Sequence, residues 1–380
     1  MTLPSVWEDG TWPGLPAASG GLETEVCVIG LGAAGLSAVA EALRLGADVV
    51  GIDAAEVGGG ASGRNGGFLL AGTAAFHHDA ATAIGRDRAA AIHRLTADTI
   101  LQMARETPSA VRLTGSLRLA LSDDELADCH AQLAAMRADG LPAEPYEGPE
   151  GSGLLFPADG AFDPLRRCRL LAEAAINAGA RLFERSAAIE IAGDRVTMAA
   201  GVIRCRHAII AVDGGLERLV PDVGARVRTA RAQMLATAPL ASQRFPRPVY
   251  ARWGYDYWQQ LPDGRLALGG FRDAGGDDEW TGAPEPTDIV QGRLERFLRE
   301  ALGVRAPITH RWAGCIAFTE DKLPVIQRTQ DGAIAVGAYS GTGNVLAKLC
   351  GRAAVELALS GSPGPLARLL APRPDSGAER

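Results

Sequence analysis

Short apolar runs, each followed by glycine and then by a helical pattern, occur near both ends of the chain. Near the N-terminus, Glu25 to Ile29 is apolar enough and long enough for a buried strand. Leu36 to Leu45 then repeats alanine and leucine at helical spacing and stops at Gly46, a residue type that commonly ends helices. Asp48 to Ile52 is a second candidate for a buried strand. The order strand, glycine turn, helix and strand predicts a βαβ unit.

The rest of the chain alternates between helical and strand-like patterns. Helices are predicted over Arg86 to Glu106, Asp124 to Arg137, Pro164 to Ala178, Asp288 to Ala301 and Val345 to Leu359. Strands are predicted within Val111 to Leu121, Gln233 to Phe271 and Ala333 to Gly337, a Pro- and Gly-rich loop over Leu141 to Gly153, and a frayed tail over Ser360 to Arg380. Because strand, glycine turn and helix recur at both ends of a strand-rich middle, we expect one discontinuous domain with a second domain inserted into it.

Gly30, Gly32 and Gly35 form a G-x-G-x-x-G sequence between the first strand and the first helix. The first glycine permits a tight turn, the second lets the backbone approach a pyrophosphate, and the third lets the helix pack closely on the strand. The helix N-terminus offers free N–H groups and partial positive charge to the anion. Asp53, at the end of the second strand, is placed to hydrogen-bond ribose hydroxyls. We therefore expect a dinucleotide site; the alternative is a glycine-rich turn without a ligand.

A second glycine-rich segment, Gly58 to Gly67, follows the second strand. So many glycines disfavour a regular element, but their backbone N–H groups can run along a flat ligand. Ser62 and Arg64 add donors for phosphate. The alternative is a flexible surface loop. The G-x-G-x-x-G sequence alone does not distinguish NAD from FAD, so an enzyme that uses only NAD stays an open alternative.

Composition and charge narrow the range of partners. The 380 residues carry a net charge of −7 with no long run of one sign, which disfavours nucleic acid as a partner. The six cysteines lie far apart, so no CxxC pair and no metal site is predicted, and this usage favours a reducing compartment. No apolar run approaches the roughly 18 residues of a membrane span. Met1 to Gly20 lacks the basic and apolar regions of a signal peptide, so we expect a cytoplasmic protein.

Several segments, in order along the chain, resemble the D-amino-acid-oxidase-type FAD oxidoreductases. Besides the G-x-G-x-x-G sequence and the acid at Asp53, these are GASGRNGG at 60–67, AIIAVDGGLERLVPDV at 208–223, LPDGRLALGG at 261–270, RWAGCIAFTEDKLPVI at 311–326 and AYSGTGNVLAKL at 338–349. The sequence is most similar to the gamma-glutamylputrescine oxidoreductase-like branch, beside the glycine and sarcosine oxidases. The resemblance spans almost the whole chain.

The resemblance implies an α/β fold with α+β elements, in which an antiparallel-sheet substrate domain is inserted into a Rossmann-type FAD-binding domain. The FAD-binding domain would comprise residues 1–82, 155–228 and 310–380, and the substrate domain residues 83–154 and 229–309. The cofactor-binding residues that the resemblance implies are Gly30, Gly32, Ala33, Ala34, Gly35, Asp53, Ala54, Ala61, Ser62, Arg64, Asn65, Gly66, Gly67, Phe68, Ala187, Gly341, Thr342, Gly343 and Asn344. The last four would lie at the pyrimidine end of the flavin ring.

Enzymes of this group oxidise a carbon–nitrogen bond of a small amine or amino acid by hydride transfer to FAD, and water hydrolyses the imine. The chain departs from the family where basic residues hold a substrate carboxylate, because Ile316 and Val345 stand at those positions. Either the substrate has no α-carboxylate or another base holds it. Arg252 and Arg272 are the candidates, with a solvated or structural role as the alternative for each.

Aromatic residues are expected to form the wall of the substrate pocket. Tyr257 matches a family position that faces the substrate, and Trp253, Tyr255 and Trp258 are its neighbours in sequence. Such a wall suits an amine through cation–π contact, although alternating aromatics on a strand also occur in ordinary cores. Tyr339, beside the last glycine-rich turn, is a further candidate. The predicted catalytic residues are therefore Tyr257, Arg252 and Tyr339.

Two further family positions bear on flavin attachment and on the electron acceptor. The cysteine to which some relatives attach FAD corresponds to Gly314 and not to Cys315, so noncovalent FAD is expected. The lysine that activates oxygen in sarcosine-type oxidases corresponds to Ala267, so the acceptor is oxygen or another molecule. The alternatives are a dehydrogenase of the same fold that reduces a quinone or carrier, and a flavin-binding protein without catalysis.

Overall fold

The computed structural model describes residues 3–362 and 364–371. In this part of the chain the helices are α1 (Ala33–Arg44), α2 (His77–Ile84), α3 (Arg86–Glu106), α4 (Asp123–Ala138), α5 (Pro164–Asn177), α6 (Leu216–Leu219), α7 (Asp288–Glu300), α8 (Gly343–Ser360) and α9 (Pro365–Leu370). The strands are β1 (Gly20–Ile29), β2 (Val49–Ile52), β3 (Phe68–Leu69), β4 (Val111–Arg112), β5 (Ser116–Leu119), β6 (Glu144–Gly148), β7 (Gly151–Phe156), β8 (Gly160–Phe162), β9 (Arg181–Phe183), β10 (Ala188–Ala192), β11 (Arg195–Met198), β12 (Gly201–Ile210), β13 (Val227–Thr237), β14 (Val249–Ala251), β15 (Asp256–Gln260), β16 (Leu266–Gly269), β17 (Ile308–Thr319), β18 (Val325–Arg328) and β19 (Ile334–Gly337).

The first large sheet has a parallel centre in the order β9–β2–β1–β12–β19. Strand β18 pairs antiparallel with β19, and β10 and β11 extend the sheet from the first part of β12. Strands β2 and β19 are buried along their whole length, as expected of strands covered on both faces. The predicted βαβ unit is β1–α1–β2, and its helix begins at Ala33, inside the glycine motif, rather than at Leu36.

Alternate residues of β1 face opposite sides of this sheet. Val26 and Val28 pack with α1, α5 and α8, whereas Cys27 and Ile29 belong to a second apolar cluster with alternate residues of β12. Since β1 and β19 are parallel strands of one sheet, their carboxyl ends lie at the same edge. Helices α1 and α8, which follow these two strands, therefore both begin at that edge.

The second large sheet has the order β17–β13–β16–β15–β14–β5–β7–β6. Its pairs are antiparallel apart from β14 and β5, which run parallel. Apolar side chains around Trp258 and α7 cover one face. The other face carries Tyr257 and Gln259, which contact the glycine-rich segment that follows β2. A small third sheet, β3–β8–β4, lies between these parts.

Two of the sequence predictions were wrong in detail. The segment predicted as a loop over Leu141 to Gly153 contains β6 and the start of β7, which form a hairpin; Pro145 is tolerated because β6 is an edge strand. Within the predicted frayed tail, Pro365–Leu370 forms α9, which packs on α3 and α8. The rest of that tail prediction, at residue 363 and residues 372–380, lies outside the described residues.

The two large sheets are built from interleaved stretches of chain, as domain insertion requires. The predicted boundaries themselves stay a prediction. Strand β17 spans the expected boundary at residue 310 and pairs along its length with β13 of the second sheet. Helix α3 packs on α8 and α9, although its residues were assigned to the inserted domain. None of the helices in the described part of the chain combines the length and apolar character needed to cross a membrane.

Candidate cofactor and substrate site

The turn from β1 into α1 is open at its backbone. A Cβ on Gly35 would lie 1.7 Å from the carbonyl oxygen of Gly30, so only glycine allows the helix to begin this close to the strand. Gly32 caps the helix without a side-chain hydrogen bond. The N–H groups of Ala33, Ala34 and Gly35 have no acceptor within the helix, because they belong to its first turn. The Ser62 hydroxyl receives the Ala33 N–H at 2.9 Å, which brings the second glycine-rich segment to this turn.

Asp53 lies at the carboxyl end of β2 and organises the far end of the cleft. Its carboxylate accepts the N–H groups of Leu31 at 2.7 Å and Ala55 at 2.8 Å. Burial raises the pKa of Asp53, and these two hydrogen bonds act against that rise. Its carbonyl oxygen accepts the Ser186 N–H at 2.7 Å, which places the exposed Ala187 beside the equally exposed Ala54. These three predicted cofactor-binding residues are thus neighbours, and the part of the cofactor that they contact stays a prediction.

The segment from Ala61 to Gly67 is held in shape by side chains from distant parts of the sequence. The Asn65 side chain accepts the Gly67 N–H at 2.8 Å, and the Trp7 indole N–H donates to the Asn65 carbonyl at 2.9 Å. Gln259 on β15 donates to the carbonyls of Gly66 and Gly67 at 2.5 and 3.0 Å. The carbonyls of this segment are therefore engaged by protein.

Arg64 does not have the expected phosphate-donor arrangement. Its guanidinium donates to the carbonyl oxygens of Ala313 at 2.6 Å and Leu3 at 2.8 Å, so it ties the glycine-rich segment to β17 and to the N-terminal segment. The Trp312 indole N–H donates to the Arg64 carbonyl at 2.8 Å and strengthens the same junction. Arg64 still lines the central cavity, but two of its three guanidinium nitrogens are engaged by the Ala313 and Leu3 carbonyl oxygens.

The last glycine-rich turn, between β19 and α8, has an unusual backbone. Ala338, Ser340 and Gly341 have φ values of 57°, 52° and 96°, a left-handed region that non-glycine residues rarely adopt and that occurs often at functional sites. The Asn344 side chain donates to the Asn65 side chain at 3.1 Å and to the Phe68 carbonyl at 2.7 Å. The two glycine-rich ends of the chain are thus joined by direct hydrogen bonds.

Asp213 supports this turn from behind. Its carboxylate accepts the N–H groups of Ala317 at 3.2 Å and Tyr339 at 3.3 Å, and burial raises its pKa to about 6. Helix α8 packs tightly on α1, where a Cβ on Gly351 would lie 2.1 Å from the Ala34 carbonyl oxygen. The turn is therefore fixed both by Asp213 and by the contact between the two helices.

A cavity of about 470 Å³ opens between these turns and the second sheet. It lies within the size range of small-molecule and cofactor pockets. The predicted cofactor-binding residues that line it are Ala61, Arg64, Asn65, Gly66, Phe68, Gly341, Thr342 and Asn344. Gly314 and Ile316 of β17 line it as well, whereas Cys315 between them does not. Among the described residues, no cysteine lines this cavity.

Tyr257 forms the part of the wall that faces the glycine-rich segment. Its ring packs on Gly269 of the neighbouring strand, where a Cβ would lie 2.4 Å from the ring, and its edge meets Phe68 at a centroid distance of 6.0 Å. Gly66 lies beside the same ring. Burial, followed by the charge of Asp256, raises the pKa of Tyr257 to about 12. The phenol is therefore a neutral hydrogen-bond donor at physiological pH.

Three of the expected active-site side chains do not face the cavity. Arg252 pairs with Asp256 at 2.6 Å and Asp273 at 3.0 Å, so its charge is already neutralised. The ring of Tyr339 is buried in the core of the first sheet, and its hydroxyl has no partner there. Trp258 points to the opposite face from Tyr257 because neighbouring residues of a strand alternate.

Arg272, the second basic candidate, does line the cavity. Its guanidinium lies over the rings of Trp280 and Phe318, at 4.7 and 5.0 Å from their centroids. No carboxylate among the described residues lies within salt-bridge distance of it. The structure thus distinguishes the two candidate arginines: Arg252 is paired with carboxylates, whereas Arg272 lines the cavity.

Sequence reasoning missed several residues of the site. Asp159, His77 and His93 line the cavity together with Phe156 of β7 and Tyr250 of β14. Burial lowers the pKa of His93 to about 4, so this imidazole is neutral. Trp7 and Gln259 shape the glycine-rich segment without lining the cavity themselves. None of these residues belongs to a local motif, and their roles come from contacts between distant parts of the chain.

The groups around the cleft fit a dinucleotide that carries a flat ring. Both α1 and α8 begin without a side-chain cap, at Gly32 and Thr342, so two sets of backbone N–H groups point to one edge of the first sheet. The Ser62 hydroxyl lies at the first of these turns, and the cavity lies at the second. The antiparallel sheet supplies an aromatic wall opposite. These features together fit a class of protein that binds a dinucleotide between a parallel and an antiparallel sheet.

The chain belongs to the FAD dependent oxidoreductase (DAO) family, whose model matches residues 25–357. It is 30% identical to the probable oxidoreductase OrdL of Rhizobium meliloti (strain 1021), over 92% of this chain and 86% of that protein. It is 26% identical to the gamma-glutamylputrescine oxidoreductase of Escherichia coli (strain K12), over 88% and 83% of the two chains. The crystal structure of glycine oxidase from Geobacillus kaustophilus shares its fold, with a TM-score of 0.74, 19% identity and coverage of 93% and 99%. The predicted family, fold class and cofactor are confirmed: the protein is an FAD-dependent oxidoreductase.

Proposed function

We propose that the protein oxidises the carbon–nitrogen bond of a small amine or amino acid in the cavity between Tyr257 and the glycine-rich turns. The observation that carries this proposal is the hydrogen bond from Asn344 to Asn65, which joins the last glycine-rich turn to the second glycine-rich segment at the edge of a cavity lined by aromatic rings. The relative from Escherichia coli is named as an oxidoreductase of gamma-glutamylputrescine, an amine derivative, and the fold neighbour as an oxidase of glycine.

The chain would hold FAD along the edge of the first sheet. The first turn of α1 and Ser62 would bind the pyrophosphate, Asp53 the ribose, and Gly341 to Asn344 the pyrimidine end of the ring. FAD bound there supplies the acceptor for a hydride from the carbon next to the substrate nitrogen. Cys315 points away from the cavity, which supports noncovalent attachment.

The side chains of the cavity would position the substrate and keep water out. Tyr257, neutral because of its raised pKa, would donate a hydrogen bond to the substrate. Arg272 is available for a carboxylate, since its own contacts are with aromatic rings. The imine product would then be hydrolysed by water to the carbonyl compound. The discontinuous domain boundaries predicted from the sequence belong to this same proposal.

The test is anaerobic reduction of the bound flavin by a panel of compounds. Polyamines, N-methyl amino acids, D-amino acids and simple amines would be mixed with the holoprotein while the absorbance of oxidised flavin is followed. We expect bleaching by at least one amine and no bleaching by matched alcohols. A holoprotein that no amine reduces would overturn the proposed function and favour a flavin-binding protein without catalysis.

One observation keeps a dehydrogenase as a second candidate. Ala267, which stands where sarcosine-type oxidases have their oxygen-activating lysine, is fully buried. Of the two lysines in the sequence, Lys348 is paired with Glu106 and Lys322 lies at the cavity wall beside Glu320. Peroxide formation during turnover in air separates the two: an oxidase releases it at the rate of amine oxidation, whereas a dehydrogenase turns over only with an added quinone or carrier.

A further inference from the structure

Asp159 is a buried carboxylate that lines the cavity without a cationic partner. It lies between β7 and β8, with an exposed fraction of 4%. It accepts the Ser116 hydroxyl at 2.6 Å and the Ala71 N–H at 2.8 Å. Among the described residues, no lysine, arginine or histidine lies within salt-bridge distance of it. A buried carboxylate left without a counter-charge is unfavourable, so this arrangement needs a compensating ligand or a proton.

The other charged groups in this part of the cavity already have partners or are neutral. The Arg118 guanidinium pairs with Asp128 and covers one face of the Phe76 ring, at 3.6 Å from the ring centroid. His77 pairs with Asp139 at 2.6 Å. His93 is neutral because burial lowers its pKa to about 4. The negative charge of Asp159 is therefore the one that a cation entering the cavity would meet in this region.

Aromatic rings surround the same position. Phe76 and Phe156 each stack with Tyr250, at centroid distances of 6.5 and 6.4 Å and interplanar angles of 22° and 16°. All three rings line the cavity together with Asp159. Aromatic faces attract ammonium groups, and they do so most strongly where water is excluded. A carboxylate beside an aromatic stack is a suitable environment for an organic cation.

The strand register gives the distance from this position to the flavin end of the cavity. Tyr250 on β14 lies directly opposite Tyr257 on β15, and on its other side it pairs with Arg118 on β5. Ser116, which holds Asp159, lies on the same strand β5. Since neighbouring strands are about 4.8 Å apart, Asp159 lies beside a strand roughly 10 Å from the strand of Tyr257. A substrate would have to span several bonds to reach both ends.

We propose that Asp159 and the stacked rings of Tyr250 and Phe156 bind a second cationic group of the substrate. The preferred substrate is then an amine that carries a distal ammonium group, of the α,ω-diamine class. One amino group is oxidised at the flavin end while the other stays charged against Asp159. This inference rests on the proposed function and names the substrate class within it.

The burial of Asp159 also has a consequence for stability. Without a counter-charge the ionised carboxylate is unfavourable in the free enzyme, and burial raises the pKa of Asp159 to about 7. The folded state then favours the protonated form, so the contribution of this group to stability is present at low pH and is lost as pH rises through about 7. Asp159→Asn, which resembles the protonated form, should therefore keep or raise Tm at pH values above 7.

The experiment compares the holoprotein with its Asp159→Asn variant on a homologous series of α,ω-diamines and on n-alkylamines of the same chain lengths. For the wild type we expect kcat/KM to favour the best diamine over its matched monoamine by about 10-fold or more, as for a hydrogen bond to a charged group. The variant should lose this preference, because its kcat/KM should fall more for the diamines than for the matched monoamines. Diamines should also raise the Tm of the wild type and not that of the variant.

Ser116→Ala is the matched control, because it removes one hydrogen bond from Asp159 but keeps the carboxylate, so the diamine preference should persist. Equal use of diamines and monoamines by the wild type would overturn this inference and leave the proposed function standing. An Asp159→Asn variant that keeps the diamine preference would also overturn it. Failure of every amine to reduce the flavin would instead overturn the proposed function.

Discussion

The two large sheets would bind their ligands with different parts of the chain. At the edge of the parallel sheet the available groups are backbone N–H groups, presented by the turn at Gly30 to Gly35 and by the turn at Gly341 to Asn344. On the antiparallel sheet the groups are side chains on one face, such as Tyr257 and Tyr250. Binding at the edge of the parallel sheet requires glycines, which leave the backbone open, whereas binding on the antiparallel sheet depends on which side chains are present. Substitutions should therefore act on cofactor retention in one region and on substrate preference in the other.

The largest effect is expected at the backbone of the parallel sheet. Gly35→Ala places a methyl group 1.7 Å from the Gly30 carbonyl oxygen, and backbone cannot move aside as a flexible side chain does. We expect a loss of about 3–5 kcal/mol in the free energy of unfolding, or failure to fold, together with loss of bound flavin. Thermal unfolding and the ratio of flavin to protein absorbance measure both effects. Gly292→Ala, in the middle of α7 where an added Cβ meets nothing, should keep the flavin and change stability by about 1 kcal/mol or less.

The next effect tests the two arginines against each other. Arg272→Gln should raise KM for substrates with a carboxylate by about 10- to 100-fold, the range for loss of a hydrogen bond to a charged group. It should leave KM for simple amines nearly unchanged. Arg252→Gln should instead lower Tm, because it leaves the buried Asp256 without its partner, and should not alter the ratio of the two KM values. A larger carboxylate-specific effect in Arg252→Gln than in Arg272→Gln would contradict our assignment.

A smaller effect is expected from the hydroxyl of Tyr257. Tyr257→Phe keeps the ring on Gly269 and removes one hydrogen-bond donor, so we expect kcat/KM to fall by about 10-fold. Because the pKa of Tyr257 is raised to about 12, the phenol stays protonated throughout an ordinary pH–rate profile. Wild type and variant should therefore show the same profile shape. A basic limb that only the wild type shows would mean that Tyr257 titrates in the active range.

The smallest effect should come from the N-terminal segment. Trp7→Phe removes the indole N–H that donates to the Asn65 carbonyl, at a cost of about 1 kcal/mol. We expect a few-fold faster loss of flavin on dilution and unchanged kinetic constants for the loaded enzyme. Altered substrate preference in Trp7→Phe would show that the segment also shapes the cavity.

The sequence predicted the residues whose roles depend on neighbouring atoms in the chain, but not the residues whose roles depend on contacts with distant parts of the chain. The turn at Gly30 to Gly35 follows from its spacing, because the physical demands on it come from neighbouring atoms. Asp159 was not predicted, since nothing around it in sequence distinguishes it from an ordinary turn residue. Its place in the cavity depends on Ser116 and on the pairing of β5 with β14. Arg252 and Arg272 differed only in their partners, which no sequence pattern specifies.

The same distinction explains the errors in secondary structure. The segment Leu141 to Gly153 contains proline and glycine, which disfavour strands, yet tertiary pairing with β5 and a tight hairpin overrode that preference. Trp258 was assigned to the pocket wall together with Tyr257, although consecutive residues of a strand face opposite ways. Strand alternation shows that only one of these two residues can face the pocket, but it does not show which one.

The hydrogen bond between Asn65 and Asn344 joins residues separated by 279 positions. Chains emerge from the ribosome N-terminus first, so the segment that carries Asn65 is synthesised long before α8 exists to complete the other side of the cleft. Contacts of such long range also form late, because the intervening chain must first be ordered. We therefore expect the protein to acquire its prosthetic group only after translation has ended, and flavin supply to limit the yield of active enzyme without limiting synthesis of the polypeptide.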